Sequence, residues 1–348
     1  MSTLITENLF TCKNEEKGRQ LCENIYGKMP QKPIHLDYSI ECSNSSFAAG
    51  KATKSLYNLI LDLGEKNATI PITSVIPNSK KNLPAIIIFT AENGVPNKYL
   101  PAEELIDRGY AVFSLQMNKV AKNDADFKSG IAGYIARSRR KKSAPGKTVV
   151  WAWTILRVLE YVHSLDFINK NAISVAGHGI CARAAMLAAG YDKRIKFVIA
   201  NGIASSPILY SEKIPKSALT VHDYPYLYCP AFTEEPSGDE YASLLSLCTS
   251  RSILIGTAKD GIGLDAKEEH RYLSEFCRNA DISFSLSTSD TESKIPTAAA
   301  LSHKGEISHH IRSGVDYFSR EDWNIYLDVI DKKISIIRQI DNNSLLFN

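Results

Sequence analysis

The sequence predicts an α/β domain built on a mostly parallel β-sheet. Apolar runs rich in β-branched residues, such as residues 84–89, suit strands that are buried on both faces. Segments with helical spacing of apolar residues, such as residues 147–165, separate these runs in the strand–helix–strand order of a parallel sheet. Residues 171–190, NAISVAGHGICARAAMLAAG, predict a strand, a glycine turn and a helix of small residues. Such turns are where α/β proteins place a nucleophile or a phosphate.

The first half of the chain predicts an antiparallel edge followed by the parallel part of the sheet. Residues 1–32 form a helical or irregular lead. The edge strands are predicted at residues 35–42, 55–63 and 70–76, and buried strands at 84–89 and 110–115 on either side of a helix at 101–108. A polar excursion over residues 118–146 precedes the helix at 147–165.

The second half predicts further strands at residues 195–200, 252–257 and 282–286, with 282–286 as the last. A helix is expected over residues 265–277, and an amphipathic helix over 322–337 closes the chain. Residues 202–242 are rich in proline and tyrosine, which is typical of a lid or cap inserted into such a domain. With no internal repeat, the sequence predicts one domain over residues 33–340 that carries this cap.

Composition narrows the class of protein. The 348 residues are 44% hydrophobic with a net charge of +3, which predicts no general attraction to nucleic acid. The basic run at residues 137–142 is interpreted as a solvated loop rather than a nucleic-acid patch. Neither a run of 18 apolar residues nor a secretory leader is found, so no membrane partner is expected. Seven scattered cysteines without a CxxC pair predict free thiols, a cytoplasmic location and no metal site.

Five segments follow one another in an order that carries a family resemblance. They are YGKMP at 26–30, VPNKYLPAEELIDRGYAVFSL at 95–115, GKTVVWAWTILRVLEYVHSLDFINKNAISVAGH at 146–178, DKRIKFVIAN at 192–201 and HIRSGVDYFSREDW at 310–323. Together they resemble the α/β hydrolases, and within them the bacterial carbohydrate esterases of the glucuronoyl esterase and acetyl xylan esterase type. The resemblance implies the α/β-hydrolase fold, an eight-stranded sheet with helices on both faces and an active site at the strand ends, with no cofactor.

The resemblance also implies acyl transfer by an activated serine, and here this chain departs from the family. The family's turn reads Gly-His-Ser-Arg, whereas the matching residues are Gly177, His178, Gly179 and Ile180. A serine in this turn tolerates backbone strain for the sake of function, and glycine adopts the same conformation almost freely. Gly179 therefore marks a vestigial nucleophile position.

The position of the general base departs in the same way. The family carries a Gly-x-His step before the last helix, and this chain has Gly314-Val315-Asp316, which makes Asp316 a vestigial base position. His309 and His310 lie nearby, and anchoring roles are favoured for them over His310 entering the site. Asp260 and Asp265 remain the candidates for the acid, because Asn201-Gly202 offers no carboxylate at the family's alternative location.

Residues for an oxyanion hole and a pocket can still be named. The Ile180 amide and the loop from Thr90 to Gly94 could supply the hole. A pocket is expected from the residues of the loops that should meet above the sheet, namely Glu92, Asn93, His178, Tyr224, Tyr226 and His310. Such a pocket could bind a sugar-like or other small ligand. The sequence names no protein partner.

The favoured interpretation is a cytoplasmic pseudoenzyme of the carbohydrate esterase type that has lost ester hydrolysis. A first alternative is an active carboxylic ester hydrolase with an unorthodox nucleophile. Cys181 is the candidate, although a buried thiol is the favoured interpretation of this residue. A second is a dinucleotide-binding protein that uses Gly177, Gly179 and Ala182 of a G-x-G-x-x-A pattern. The expected acid at the end of the next strand is missing from that pattern. A third is a structural or interaction role.

Overall fold

The computed structural model describes residues 15–79, 81–137, 141–203, 221, 223–233, 238–261, 265–288 and 305–346. Ten β-strands form one sheet within these ranges. They are β1 (His35–Phe47), β2 (Ala52–Asp62), β3 (Asn67–Pro77), β4 (Leu83–Thr90), β5 (Ala111–Gln116), β6 (Ile168–His178), β7 (Phe197–Asn201), β8 (Ser252–Asp260), β9 (Ser283–Thr288) and β10 (Glu306–Val315).

Nine α-helices and one 3₁₀ turn (Pro225–Leu227) are found in the same ranges. The helices are α1 (Glu15–Tyr26), α2 (Ala102–Asp107), α3 (Met117–Val120), α4 (Gly130–Ile135), α5 (Lys147–Ser164), α6 (Ile180–Tyr191), α7 (Gly238–Leu247), α8 (Ala266–Ala280) and α9 (Arg320–Leu346). Within the described part of the chain, none of them is both long enough and apolar enough to cross a membrane.

The sheet has the order β1-β2-β3-β5-β4-β6-β7-β8-β10-β9. In this order the first three pairs, β1-β2, β2-β3 and β3-β5, are antiparallel. The six pairs that follow, from β5-β4 to β10-β9, are parallel. Because parallel strands end at one edge, Thr90, Gln116, His178 and Asn201 come together at the carboxyl edge of the sheet. The functional residues should therefore be sought along this edge.

Two hydrophobic clusters cover the faces of the sheet. One includes Trp151 and Trp153 of α5, together with α1, α6 and α7. The other includes Trp323 and Tyr326 of α9, together with α2. Helices on both faces of a mostly parallel sheet confirm the predicted α/β architecture.

The main difference from the prediction is the number of strands. The described sheet has ten rather than eight, and 282–286 is not the last, because β10 follows it and inserts between β8 and β9. The sequence of β10, EISHHIRSGV, lacks an apolar run, although His309 and His310 are buried in it. The central strand and its helix were predicted at the right place, and the structure extends them to 168–178 and 180–191.

Parts of three predicted segments lie outside the described residues. Of the lead at 1–32, residues 1–14 are not described, and residues 15–26 form α1. Of the cap at 202–242, residues 204–220, 222 and 234–237 are not described, and of the basic run, 138–140 are not. Tyr226 of the described cap residues points its hydroxyl at the backbone and side-chain oxygens of Asn123, at 3.3 and 3.2 Å. Its ring packs edge-on against Tyr224.

Candidate functional site

The turn between β6 and α6 carries the predicted nucleophile position. Gly179 has φ 56° and ψ −122°, a conformation that residues with a Cβ rarely adopt. Its amide donates to the Asn201 carbonyl at 2.9 Å, and its own carbonyl accepts from the Ala182 amide at 3.0 Å. At Gly177 a Cβ would lie 2.4 Å from the Cys181 backbone, so glycine is what allows α6 to begin directly over the strand end. The backbone thus forms a sharp elbow whose apex has no side chain.

His178 precedes this apex and is fixed from one side. Its Nδ1 lies 2.9 Å from Asn201 Oδ1, and Asn201 Nδ2 donates to the Tyr326 hydroxyl at 2.9 Å. With the Asn201 oxygen accepting, His178 Nδ1 carries the proton and Nε2 is left facing the other way. Nε2 points toward Asp316 Oδ1 at 3.7 Å, which is too long for a direct hydrogen bond. The imidazole is therefore oriented by a neutral amide and faces a carboxylate.

Aromatic rings form the sides of this arrangement. The Tyr99 ring lies 5.0 Å from the His178 ring and 5.0 Å from the Tyr317 ring, measured between centroids. Trp323 holds the Tyr99 backbone, because its indole N–H donates to the Tyr99 carbonyl at 2.8 Å. Burial raises the pKa of the Tyr99 phenol, so this hydroxyl is neutral at physiological pH. We call Tyr99, His178, Asn201, Asp316 and Tyr317 the His178 cluster.

The His178 cluster is open to solvent. The side chains of His178 and Asp316 are 17% and 15% exposed. Gly202, with φ 58°, lies between them, and a Cβ there would stand 2.7 Å from Asp316 Oδ1 and 2.8 Å from His178 Cε1. The polar contacts of the His178 ring within the described chain are Asn201 and Asp316, and neither carries an aliphatic hydroxyl or thiol. The cluster can accept and donate hydrogen bonds, and none of its five residues is a serine, threonine or cysteine.

Cys181, the thiol nearest to the elbow in sequence, is fully buried in α6. Burial raises its pKa to about 12, against a smaller opposite effect of a hydrogen bond with the Ala91 backbone. A thiol in this state stays protonated at neutral pH and is a poor nucleophile.

The residues predicted for an oxyanion hole have separate contacts. The Glu92 amide donates to Thr90 Oγ1 at 3.0 Å, so the loop after β4 uses this amide internally. The Glu92 carboxylate pairs with Lys98 at 3.0 Å. Asn93 lines another cavity of the surface, and Ile180 forms the first turn of α6. Whether the Ile180 amide contributes to an oxyanion hole stays a prediction.

The structure places His310 inside the sheet rather than at the elbow. It pairs with Gly256 of β8 and Ser287 of β9, is 1% exposed, and meets the Tyr326 ring edge-on. Its Nε2 lies 3.5 Å from Asp322 Oδ1. These surroundings agree with the anchoring role that was favoured over entry into the site.

Neither of the two candidate acids is among the polar contacts of the His178 ring in the described chain. Asp260 is exposed at the end of β8. Asp265 caps α8, because its carboxylate accepts from the amides of Lys267 and Glu268 at 2.9 and 3.3 Å. Among the predicted residues, the structure brings together His178, Gly179 and Asp316.

Sequence reasoning missed the groups that orient His178. Tyr99 and Tyr317 lie in segments of the family resemblance, Tyr326 lies in the predicted closing helix, and Asn201 was noted only for lacking a carboxylate. The available signal was the strand order, because Asn201 ends the strand next to β6. Among the described residues, no group of three or more His, Cys, Asp or Glu side chains is placed to hold a metal ion.

Comparison with known proteins finds that this chain is similar to esterases. The family model described as "Glucuronyl esterase, fungi" matches residues 61–206. A carbohydrate esterase from an unknown prokaryotic organism is 23% identical over 246 residues, which are 66% of this chain and 55% of that protein. The chain therefore spans about half the length of this curated relative.

Solved structures match over nearly the whole chain. A glucuronoyl esterase from Solibacter usitatus has a TM-score of 0.68 and 16% identity, with 94% of this chain and 91% of that chain covered. A CE15 glucuronoyl esterase from Teredinibacter turnerae T7901 has a TM-score of 0.69 and 16% identity, covering 92% and 84%. An acetyl xylan esterase from Paenibacillus sp. R4 has a TM-score of 0.53 and 14% identity, covering 91% and 92%.

Proposed function

We propose that this α/β-hydrolase-fold protein, whose predicted resemblance to the carbohydrate esterases is confirmed by these matches, is a pseudoenzyme that binds a small sugar-like ligand. In this proposal the His178 cluster is the binding site. The serine-based ester hydrolysis of its relatives is lost.

The observation that carries the proposal is the elbow itself. Gly179 has the backbone conformation that would present a nucleophile, and it has no side chain to present. Asp316 occupies the position that the family gives to the base. A carboxylate at this position cannot take the role that the histidine imidazole has in a triad. Removal of a triad nucleophile costs on the order of a million-fold in turnover. A physiological rate of ester hydrolysis is therefore not expected.

The groups that remain suit a hydroxylated ligand. The Asp316 carboxylate accepts hydrogen bonds from hydroxyl groups, and the free Nε2 of His178 adds a further acceptor. The rings of Tyr99 and Tyr317 offer apolar surface to the C–H faces of a sugar. The relatives are carbohydrate esterases by description, which supports a carbohydrate as the class of ligand.

The alternatives have less support. An active esterase would need another nucleophile, and the Cys181 thiol is buried with its pKa raised to about 12. A dinucleotide site would need an acid at the end of β7, where the Asn201 side chain instead joins His178 and Tyr326. The structural or interaction role stays open to the binding test described below.

The loss of hydrolysis is tested by chemical labelling and by restoring the two missing groups. We expect no stoichiometric labelling of the wild-type protein by a fluorophosphonate and no turnover of p-nitrophenyl acetate above the buffer rate. The double variant Gly179→Ser with Asp316→His should gain detectable esterase activity, because the elbow already has the required backbone. The matched control is Gly109→Ser, at a glycine with φ 82° and open space around it, which should gain none. Prompt labelling of the wild type would contradict the proposal.

Binding is tested with the methyl ester of glucuronic acid, a neutral sugar of the class that the relatives suggest. Titration calorimetry should show binding to the wild type and its loss in His178→Ala. The control is His35→Ala, at the start of the edge strand β1 and far in sequence from His178. This variant should bind as the wild type does. Equal binding by the wild type and His178→Ala would place the ligand elsewhere, and no binding by either would favour an interaction role.

A further inference from the structure

A cavity opens at the carboxyl edge of the sheet, beside the loop that follows β4. It has a volume of about 590 Å³, within the range of small-molecule sites. Residues of β1, β2, β5 and α3 line it, among them Cys42, Lys54, Ser55, Gln116 and Lys119. We propose that this cavity, which we call the Lys54 cavity, binds a small oxyanion carried on a hydroxylated molecule.

The charge of the Lys54 cavity is the first reason. Lys54 and Lys119 both line it, and no aspartate or glutamate is among its described lining residues. Lys54 Nζ donates to the Val95 carbonyl at 2.6 Å, which uses one of its three N–H groups and fixes it at the cavity wall. Lys119 lies on the exposed face of α3. Two ammonium groups without a facing carboxylate attract a carboxylate or phosphate.

A buried amide gives the second reason. Gln116 is the last residue of β5 and is 5% exposed, and its Oε1 has no hydrogen-bond partner among the described residues. A buried polar atom left unpaired costs free energy, so a change of the Gln116 rotamer that lets a ligand hydroxyl donate to Oε1 would be favoured. Ser55, 4% exposed, is paired with Ser43 at 2.9 Å and adds further hydroxyl groups to the wall. The cavity thus combines cations for an oxyanion with an acceptor for a hydroxyl group.

The Lys54 cavity is separate from the His178 cluster and goes beyond the function proposed for that cluster. Asn93, Gly94 and Val95 of the loop after β4 face the cavity. Glu92 of the same loop pairs instead with Lys98, next to Tyr99. The loop therefore has one side toward each site, and each site can be tested alone.

The binding test uses three sugars of similar size and different charge. The full chain is used with His178→Ala, which removes the sugar site proposed at the His178 cluster. Titration calorimetry at low salt should show binding of glucuronate or glucose 6-phosphate at least tenfold tighter than binding of glucose. The stronger of the two anions identifies whether a carboxylate or a phosphate is preferred. Equal binding of glucose, or no binding of either anion, would overturn the proposal.

Variants locate the anion. Lys119→Gln should weaken anion binding about tenfold, since it removes one charge from the wall. Lys66→Gln, an exposed lysine in the turn between β2 and β3, is the matched control and should change nothing. Both lysine variants are measured in the same His178→Ala background. If the anions bound to the wild type but not to His178→Ala, the anion would belong to the His178 cluster and the proposal would fail.

Gln116→Met separates binding from folding. Methionine has a similar volume and no amide, so the melting temperature should not fall, because the lost oxygen has no partner within the described chain. Anion binding should weaken several-fold. A lower melting temperature with unchanged binding would show that Gln116 is structural.

Cys42 offers a readout that needs no mutation. It is exposed and lines the cavity, whereas the other described cysteines are buried. Saturating glucuronate or glucose 6-phosphate should slow its alkylation by iodoacetamide several-fold, as followed by mass spectrometry of the Cys42 peptide. Glucose at the same concentration should not. Unchanged alkylation in the presence of a bound anion would place that anion outside the Lys54 cavity.

Discussion

Two segments of this molecule meet at the His178 cluster, and they are held by different kinds of contact. The turn side, residues 177–179 with Asn201, is held mainly by backbone hydrogen bonds and by the close approach of α6 to β6. The β10 side, residues 306–322, is held by buried charge. Arg312 Nε donates to both Asp322 oxygens at 3.1 Å, and the Ser319 amide donates to Asp322 at 2.7 Å.

The difference shows where the fold depends on backbone conformation and where it depends on side chains. On the turn side a glycine at position 179 adopts the elbow without strain, so the backbone persists when the nucleophile is absent. On the β10 side Asp316 lies beyond the strand, while Asp322 and Arg312 keep the segment in place. Stability should therefore depend on side chains at the β10 side and on backbone conformation at the turn side.

The largest effect is expected for Asp322→Ala. Asp322 is fully buried, and its removal leaves the buried Arg312 guanidinium and the Ser319 amide without their carboxylate. Breaking a buried ion pair in this way costs about 3–5 kcal/mol in the free energy of unfolding. Urea unfolding followed by circular dichroism measures it.

Asp328→Ala in the same helix is the control. Its carboxylate is 54% exposed and pairs with Arg108 at the surface, so the expected loss is about 0–1 kcal/mol. If the two variants lost the same stability, the β10 side would not depend on its buried charge.

The sequence predicted the buried strands that are apolar, and the prediction missed a buried strand that is polar. The run at 84–89 became β4, and the helices at 147–165 and 101–108 became α5 and α2 with small shifts in their ends. β10 was missed because two of its buried positions, on opposite faces of the sheet, are His309 and His310. The side chains that they face, Thr257 and Asp322, come from other elements and cannot be seen in a local pattern.

The same limit applies to the site. Gly179 and Asp316 could be singled out because they differ in residue type from the serine and histidine of the family pattern. The orientation of His178 could not be, because it depends on Asn201 and Tyr326, which the sheet order and α9 bring together. Asp265 was a candidate acid by position, and its carboxylate caps α8 instead.

The second prediction concerns the turn side. Gly179→Ala should destabilise the protein by about 1–3 kcal/mol, because φ 56° and ψ −122° are strained for a residue with a Cβ. Gly179→Ser should lose the same amount within about 0.5 kcal/mol, since the strain belongs to the backbone. Chemical unfolding of both variants tests this. A serine variant as stable as the wild type would show that the elbow is not strained.

The last prediction concerns a pH dependence of stability that arises around His309 of β10. His309 Nε2 lies 2.9 Å from the Thr257 hydroxyl, which donates to Glu269 Oε2 at 2.6 Å. Burial raises the pKa of Glu269 to about 7 and, with the charges of His270 and His310, lowers that of His309 to about 3. The folded state thus keeps a proton on Glu269 and excludes one from His309.

These two groups act in opposite directions on stability. Between about pH 4.5 and 7, folded Glu269 holds a proton that the unfolded chain releases, so its contribution falls as the pH rises. Between about pH 3 and 6.5, the unfolded chain protonates His309 and the folded state does not, so that contribution rises with pH. In the overlap, from about pH 4.5 to 6.5, the two slopes largely cancel.

Glu269→Gln should therefore expose the histidine slope, because glutamine imitates the protonated carboxyl at every pH. Its free energy of unfolding should fall on acidification from pH 6.5 to 4.5 more steeply than that of the wild type, by up to about 1.4 kcal/mol per pH unit. Glu268→Gln, an exposed neighbour in α8, should follow the wild type. Since one group alone is altered, a Glu269→Gln profile parallel to the wild type would mean that Glu269 is ionised in the folded protein. The β10 side would then tolerate a buried charge at this position as it does at Asp322.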